Sequence, residues 1–271
     1  MSNKKIIIAG LPNAGKTTYI AALNGLIRGN TEFSLVSNGV SKEQAYLNKI
    51  TDKWLQCKEV LRSTEDAPLF IDFPLRRKDD GVTFSIEIPD AKGEIYEDII
   101  RNDFNKDFEQ YCKGASGIFF FINNMEDLLL KEEAKNAVGG TITKNTDSQN
   151  TDEIVITSDR MTNMVKNILV LKYLRQTIGN VRLVVAVSSW DKEETRFDNI
   201  EDYFTKKCPA FYNYIHYHFT DFKLYGVSAQ GADYRDGINN LEESMDKNER
   251  AYVFDSERHN DLSLPLAYLI E

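Results

Sequence analysis

Short continuous apolar runs alternate along the chain with longer segments in which apolar residues recur at helical spacing. The runs that predict buried strands are Ile6–Ala9, Gly117–Asn123, Val181–Val187 and Phe222–Val227. The segments that predict helices are Lys16–Arg28, Ser41–Arg62, Glu94–Cys112, Arg160–Thr177 and Ile200–Phe219. This alternation is typical of α/β folds with a mostly parallel sheet and helices on both faces.

A predicted hairpin interrupts the alternation. Apolar positions alternate with other residues over Leu69–Phe73 and over Val82–Ile88, on either side of a charged turn that ends at Gly81. The two strands of a hairpin run in opposite directions. One strand of the sheet is therefore expected to be antiparallel.

Two segments are expected to be insertions in a single domain. The helix Ser41–Arg62 lies between the first helix and the hairpin, and the stretch Lys131–Asp152 is polar and aperiodic. We expect one domain over residues 1–271 with insertions at about 30–63 and 126–157.

The acidic balance of the chain excludes several classes of partner. Lys and Arg number 33 against 42 Asp and Glu, so generalised binding to nucleic acid or to an anionic membrane is not expected. No apolar run approaches the roughly 20 residues of a membrane-spanning helix, so no transmembrane segment is expected. The chain shows no cleavable signal peptide and no cysteine pairing pattern among Cys57, Cys112 and Cys208, which predicts a cytoplasmic protein.

The strongest chemical signal is the segment Gly10–Thr17, which matches the phosphate-loop pattern G-x-x-x-x-G-K-[ST] between a predicted strand and a predicted helix. Small residues let backbone N–H groups surround phosphates, and the positive end of the helix favours anions. Lys16 is expected to reach the β and γ phosphates and Thr17 to coordinate Mg²⁺. The candidate nucleotide-binding residues of this segment are Gly10, Asn13, Ala14, Gly15, Lys16, Thr17 and Thr18.

A second phosphate-side candidate follows the second hairpin strand. Asp90 stands where a strand-end carboxylate holds Mg²⁺, and the N–H of Gly93 is placed to meet the γ phosphate. An isolated Asp-x-x-Gly is also a common turn. Its position directly after a predicted strand favours the phosphate role.

Two further segments follow predicted strands and point to the base. The Asp191 carboxylate can accept from both N1–H and the exocyclic amine of guanine, a pair of donors that adenine does not present. The alternative is that Asp191 caps the helix that follows. Ser228, Ala229 and Gln230 come after the next strand and offer backbone N–H groups suited to the guanine carbonyl.

Taken in order, these segments resemble the sequence boxes of the Ras-like P-loop GTPases, in the translation-factor-related class. Gly10–Thr17 resembles the first box, Asp90–Gly93 the third, Ser188–Asp191 the fourth and Ser228–Gln230 the fifth. The resemblance implies a six-stranded sheet with one antiparallel strand, GTP or GDP with Mg²⁺ across the strand ends, and hydrolysis as a switch that a protein effector senses. More narrowly, the long insertions and the Asp-Ala-Lys-Gly-Glu segment at Asp90–Glu94 resemble the stand-alone GTPase-like proteins of bacterial conflict systems.

The resemblance also implies a second box, a Thr that closes over Mg²⁺ and the γ phosphate. Thr64, just before the first hairpin strand, is the candidate, with Thr31 and Thr51 as alternatives. Glu94 stands where many Ras-like members have the Gln that positions the attacking water. Because a carboxylate adds negative charge near the γ phosphate, we expect slow hydrolysis, with Lys16, Glu94 and Thr64 as the catalytic residues.

The fourth box departs from the [Asn/Thr]-Lys-x-Asp pattern of the family. Ser188 and Ser189 replace its first two residues, which removes the Lys whose aliphatic stem covers the base. Asp191 then carries most of the base specificity alone. Trp190 either compensates by stacking on the base or packs into the core.

The sequence therefore predicts a GTP-binding protein with slow, Mg²⁺-dependent hydrolysis that acts as a nucleotide-controlled switch. Two alternatives stay open. One is a nucleotide-binding scaffold with little or no hydrolysis, which Glu94 and the altered fourth box favour. The other is an ATP-using phosphotransferase, for which the phosphate loop alone is sufficient.

Overall fold

The computed structural model describes residues 4–28, 32–60, 70–89, 94–101, 106–123, 125, 161–232 and 246–271. Within them, the strands are β1 (Lys4–Ala9), β2 (Leu35–Ser37), β3 (Phe70–Arg77), β4 (Thr83–Pro89), β5 (Gly117–Ile122), β6 (Arg182–Ser188), β7 (Phe222–Ser228), β8 (Tyr252–Phe254) and β9 (Arg258–His259).

All of these strands belong to one sheet in the order β2-β3-β4-β1-β5-β6-β7-β8-β9. The central strands from β4 to β7 are parallel to one another. The pairs β2 with β3, β3 with β4, β7 with β8 and β8 with β9 are antiparallel. The predicted hairpin is therefore confirmed as β3 and β4.

The predicted strand number of six is wrong, because the described sheet has nine strands. The additional strands are β2, β8 and β9, each of two or three residues at an edge of the sheet. Segments this short carry no recognisable alternation, since a period of two needs about four residues to be seen. The single antiparallel strand expected is β3, and β8 also runs against the parallel strands.

The described helices are α1 (Lys16–Ile27), α2 (Gln44–Leu55), α3 (Glu94–Ile100), α4 (Lys106–Cys112), α5 (Asn163–Ile178), α6 (Ile200–Lys207), α7 (Pro209–His218), α8 (Lys247–Arg250) and α9 (Leu264–Ile270). A short 3-10 turn covers Trp190–Lys192. None of these helices combines the length and the hydropathy that a membrane-spanning segment needs.

The predicted helix Ile200–Phe219 is divided in the structure. It ends at Lys207 and restarts as α7 with Pro209 at its first position. Proline has no N–H to continue the hydrogen bonds of α6, but it is well suited to the first turn of a new helix. The predicted helix Glu94–Cys112 is described as α3 and α4, on either side of residues 102–105, which lie outside the described ranges.

Helices cover both faces of the sheet, as predicted. Side chains alternate between the faces along each strand, so Ile6 and Ile8 of β1 face one layer and Ile7 faces the other. Helices α1, α2 and α9 form the first layer. Helices α3, α4, α5, α6 and α7 form the second layer. The carboxyl ends of the parallel strands all lie at the same edge of the sheet, between the two helical layers.

Helix α2 packs directly on α1. The amide of Asn24 donates to the Thr51 hydroxyl at 2.8 Å, and the side chains of Leu47 and Trp54 are fully buried. Thr51 itself is buried within this contact. Thr51 is therefore removed from the alternatives for the second box, because its hydroxyl is held against α1 and not at the phosphate loop.

Candidate nucleotide-binding site

The phosphate loop connects β1 to α1, as the sequence predicts. Its backbone enters the left-handed region at Asn13, with φ of 62°, and at Gly15, with φ of 86°. A Cβ at Gly10 would lie 2.3 Å from the Phe121 carbonyl oxygen on β5, so only glycine fits there. The loop is tied to β5 again by the Asn123 side-chain amide, which donates to the Asn13 carbonyl at 3.3 Å.

Lys16 opens α1 and turns back toward the loop. Its Nζ donates to the carbonyls of Gly10 at 2.7 Å and Leu11 at 2.9 Å. The same ammonium lies 5.2 Å from the centre of the Tyr96 ring, which is buried on α3. A positive charge is therefore held beside the loop that the sequence assigns to phosphate, at the N-terminal end of a helix.

Thr17 and Thr18 lie in the first turn of α1 and are half-buried. The Thr17 hydroxyl is a hard oxygen donor of the kind that Mg²⁺ prefers, so this residue fits the predicted metal role. Across the part of the chain that the structure describes, no group of three or more His, Cys, Asp or Glu is arranged to hold a metal ion.

A cavity of about 140 Å³ lies next to the loop and brings four distant segments together. Gly15 and Thr18 contribute from the phosphate loop and α1. Its remaining lining residues are Phe121, Ser188, Ser189, Asp191, Lys192, Val227, Ala229, Gln230 and Ala232. The predicted fourth and fifth boxes thus face one cavity at the carboxyl ends of β6 and β7, where ligands bind in open α/β sheets.

The carboxylate of Asp191 is oriented by the strand next to it. The Ser228 hydroxyl donates to Asp191 Oδ1 at 2.8 Å and accepts from the N–H of Gly231 at 3.1 Å. Ser228 is fully buried. The alternative reading of Asp191 as a helix cap finds no support in these contacts, because Asn199 caps α6.

Ser188 and Ser189 are the first two residues of the predicted fourth box, and Ser188 contacts the phosphate loop. Ser188 is buried and donates to the Ile122 carbonyl at 3.3 Å. A Cβ at Gly15 would lie 2.9 Å from the Ser188 Cβ, so the loop and the fourth box are in close contact. Ser189 adopts a left-handed conformation with φ of 55°, which begins the turn that carries Asp191.

Trp190 packs in the core and does not line the cavity. Its side chain is fully buried, and its ring lies 5.4 Å from that of Phe254 in a stacked arrangement. A Cβ at Gly226 would lie 2.3 Å from the Trp190 ring, so glycine on β7 makes the space for the indole. Of the two roles considered for Trp190, the structural one is therefore correct.

The turn that carries Asp191 is also fixed from β8. Tyr252 donates to Glu194 Oε2 at 2.6 Å, and the Glu194 N–H donates to the Trp190 carbonyl at 2.8 Å. Burial raises the pKa of Tyr252 well above its ordinary value, and the hydrogen bond to Glu194 raises it further. Tyr252 consequently remains a donor at neutral pH.

Several predicted site residues lie outside the described residues. These are Thr64, Asp90 and Gly93, together with Thr31 among the alternatives. Glu94 is the first residue of α3, but the position of its side chain is not among those described. The described part of the site consists of the phosphate loop, the first turn of α1 and the segments after β6 and β7.

The structure adds site residues that the sequence did not single out. Trp54 on α2 donates through Nε1 to the carbonyl of Ala229 at 2.7 Å, and Asn123 contacts the phosphate loop. Trp54 is one of several apolar residues at helical spacing, so the pattern indicates only a core position. No local signal in the sequence links it to Ala229, which is 175 positions away.

A family model described as Double-GTPase 1 matches residues 7–269 of this chain. The chain belongs to the Double-GTPase 1 family. This match covers every segment that resembles a GTPase box and supports the prediction of a P-loop GTPase. The narrower resemblance to conflict-system proteins stays a prediction for this Double-GTPase 1 member. A comparison with curated protein sequences finds no match.

Solved structures similar to this Double-GTPase 1 member include two proteins with a bound guanine nucleotide. One is Methanosarcina barkeri Roco2 RocCORdC bound to GDP, with 13% identity, a TM-score of 0.35, and coverage of 83% of this chain and 44% of that one. The other is the S. cerevisiae Ski7 GTPase-like domain bound to GTP, with 12% identity, a TM-score of 0.39, and coverage of 83% and 42%. The chain therefore spans less than half the length of each structure.

Proposed function

We propose that this member of the Double-GTPase 1 family binds GTP and GDP with Mg²⁺, hydrolyses GTP slowly and acts as a nucleotide-controlled switch within a single domain. The observation that carries the proposal is the cavity in which Gly15 and Thr18 meet Asp191 and Ala229. A phosphate loop alone serves many nucleotide-dependent reactions. The Asp191 carboxylate, which Ser228 holds in the same cavity as the phosphate loop, favours guanine over adenine.

At the phosphate end, the backbone N–H groups of the loop and the positive end of α1 bind the phosphates. Lys16, now bonded to two loop carbonyls, exchanges them for phosphate oxygens when nucleotide binds. Thr17, Asp90 and Thr64 would hold Mg²⁺, and the N–H of Gly93 would meet the γ phosphate. Bound there, the metal ion supplies positive charge that offsets the charge of the transferred phosphoryl group.

At the base end, Asp191 accepts from N1–H and from the exocyclic amine of guanine. Ser228 holds one of its oxygens, which fixes the plane of the carboxylate. The backbone N–H groups of Ala229 and Gln230 donate to the guanine carbonyl. Adenine carries an acceptor at N1 and an amine in place of the carbonyl, so it meets mismatched groups at both positions.

Hydrolysis is expected to be slow because Glu94 replaces a neutral water-positioning residue. The sequence resemblance assigns Glu94, the first residue of α3, to the position that orients the attacking water, where a carboxylate would add negative charge near the γ phosphate. The same residue supports the second candidate, a nucleotide-binding scaffold that scarcely hydrolyses. A turnover assay separates the two, since GTP that stays intact on the protein for hours favours the scaffold. A protein effector and a cytoplasmic location complete the proposal.

A competition titration tests nucleotide binding and base choice. A fluorescent GDP analogue with Mg²⁺ is displaced by GTP, GDP, ATP or XTP from the wild-type protein, from Lys16→Ala and from Asp191→Asn. We expect GTP and GDP to displace it at far lower concentration than ATP. Lys16→Ala should weaken binding by about 100-fold, because charged hydrogen bonds to phosphate are lost.

Asp191→Asn tests the base contact separately. The Asn side chain presents an NH₂ donor to the exocyclic amine of guanine, which needs an acceptor, so GTP should bind more weakly. XTP has a carbonyl in place of that amine and should bind more tightly. Lys49→Ala, a charge change on the exposed side of α2, serves as the control and should leave all affinities unchanged. Equal displacement by ATP and GTP in the wild-type protein would instead support the ATP-using phosphotransferase.

A further inference from the structure

The inserted helix α2 makes a direct hydrogen bond to the loop that is proposed to meet the base. We call residues Ser228–Gly231 the base loop. Trp54, in the last turn of α2, is fully buried and donates from Nε1 to the Ala229 carbonyl at 2.7 Å. Ala229 and Gln230 of the base loop both line the candidate nucleotide cavity.

This hydrogen bond restrains the orientation of a peptide group in the base loop. The carbonyl of Ala229 and the N–H of Gln230 belong to one planar trans peptide and point in opposite directions. Holding the carbonyl toward Trp54 therefore directs the Gln230 N–H away from α2. A buried indole N–H also needs an acceptor, so the bond fixes both partners.

Trp54 is itself held in place by Arg250 at the end of α8. The buried guanidinium donates to the Trp54 carbonyl at 2.7 Å, lies 4.0 Å from the centre of the Trp54 ring, and donates to the sulfur of Cys57 at 2.6 Å. Gly231 of the base loop packs on the same residue, since a Cβ there would lie 2.8 Å from the Arg250 carbonyl oxygen. The end of α2, Arg250 and the base loop thus form one packed unit.

We infer that Trp54 is a positioning residue for base recognition, through which the inserted helix α2 holds the base loop in the conformation that accepts guanine. The inference rests on the proposed function. A positioning role for Trp54 differs from an ordinary core role in one measurable respect. A core tryptophan supports the binding of every nucleotide through the stability of the fold, whereas a positioning residue changes the preference for guanine over adenine.

The experiment compares Trp54→Phe with Thr51→Val. Trp54→Phe keeps an aromatic ring and loses the N–H donor, while Thr51→Val removes the hydroxyl that bonds Asn24 one turn earlier on the same helix. Dissociation constants for GDP and ADP and the melting temperature are measured for both variants and the wild type. We expect Trp54→Phe to weaken GDP binding by about tenfold and ADP binding by less than twofold, because the half-buried Ala229 carbonyl loses the donor that restrains the base loop.

Thr51→Val should lower the melting temperature without changing the ratio of the two constants. An unchanged ratio in Trp54→Phe would overturn the inference while leaving guanine binding intact. Absence of GDP binding by the wild-type protein would overturn the proposed function as well, so the two failures are distinguishable.

A measurement on the wild-type protein decides the matter if Trp54→Phe does not fold. Hydrogen–deuterium exchange is followed in a peptide that covers α2, with GDP or with tripolyphosphate, which has no base. We expect GDP to slow exchange in α2 and tripolyphosphate to leave it unchanged, because only the base engages the base loop. Equal exchange with both ligands would refute the positioning role of Trp54.

Discussion

The hydroxyl of Ser228 donates a 2.8 Å hydrogen bond to Asp191, although 37 positions separate the two residues. The bond exists because β6 and β7 are parallel neighbours in register, with Ser188 beside Val227. Both side chains consequently emerge at the carboxyl ends of their strands. Ser228 contributes to the candidate site by orienting the carboxylate, in addition to the backbone contacts of its loop.

Replacing Ser228 by alanine should weaken GDP binding by about fivefold, because the carboxylate loses a hydrogen bond that restricts its rotation. The measurement is the displacement titration with the fluorescent GDP analogue. Ser85→Ala removes a buried hydroxyl from β4, away from the cavity, and should leave GDP affinity unchanged. Wild-type affinity in Ser228→Ala would mean that Asp191 is held by other contacts.

Gly226→Ala should destabilise the protein through the Trp190 indole. The added Cβ would lie 2.3 Å from that ring, a separation at which the core has to shift. We expect the free energy of unfolding to fall by about 3 kcal/mol in chemical denaturation. GDP affinity should fall too, because Asp191 follows Trp190 directly.

Gly117→Ala is the matched control for Gly226→Ala, on strand β5. Its Cβ would meet the Leu269 side chain at 3.2 Å, a contact that a small adjustment relieves. We expect a loss of about 1 kcal/mol and unchanged GDP affinity. Similar losses of stability in the two variants would contradict the account of Trp190 packing.

The hydrogen bond between Asp221 and Tyr268 of α9 is expected to make the stability of the fold sensitive to acid. Hydrogen bonds from Tyr268 and Arg182 hold the pKa of the Asp221 carboxyl below its ordinary value. A carboxyl with a lowered folded pKa stabilises the native state above its unfolded pKa of about 3.9, and this stability is lost as the pH falls through the folded pKa. Tyr268 lies on α9, so α9 is held to the sheet less firmly in acid.

Asp221→Asn should therefore flatten the decline of the free energy of unfolding as the pH falls below about 4. Denaturant unfolding at several pH values measures this directly. Asp198→Asn removes an exposed carboxyl elsewhere and should follow the wild-type curve. Parallel curves for the wild type and Asp221→Asn would show that the pair does not contribute to acid sensitivity.

The sequence by itself determined the class of fold and the phosphate-binding end of the candidate site. Hydrophobic periodicity is a local property, so it predicted β1, the β3–β4 hairpin, β5, β6, β7 and helices on both faces. The phosphate loop is also local, because a strand, a glycine turn and a helix follow one another within Lys4–Ile27. The order of the boxes was sufficient to predict a P-loop GTPase, which the family match supports.

Only the tertiary structure decided which residues meet across the sheet. The edge strands β2, β8 and β9 form by pairing with neighbours and have no pattern of their own. The core position of Trp190 depends on the space left by Gly226, 36 positions later on another strand. Trp54 reaches Ala229 because α2 packs on the same face of the sheet as Ala229 of the base loop. Such contacts join residues distant in the chain, and it is the packing of the layers that brings them together.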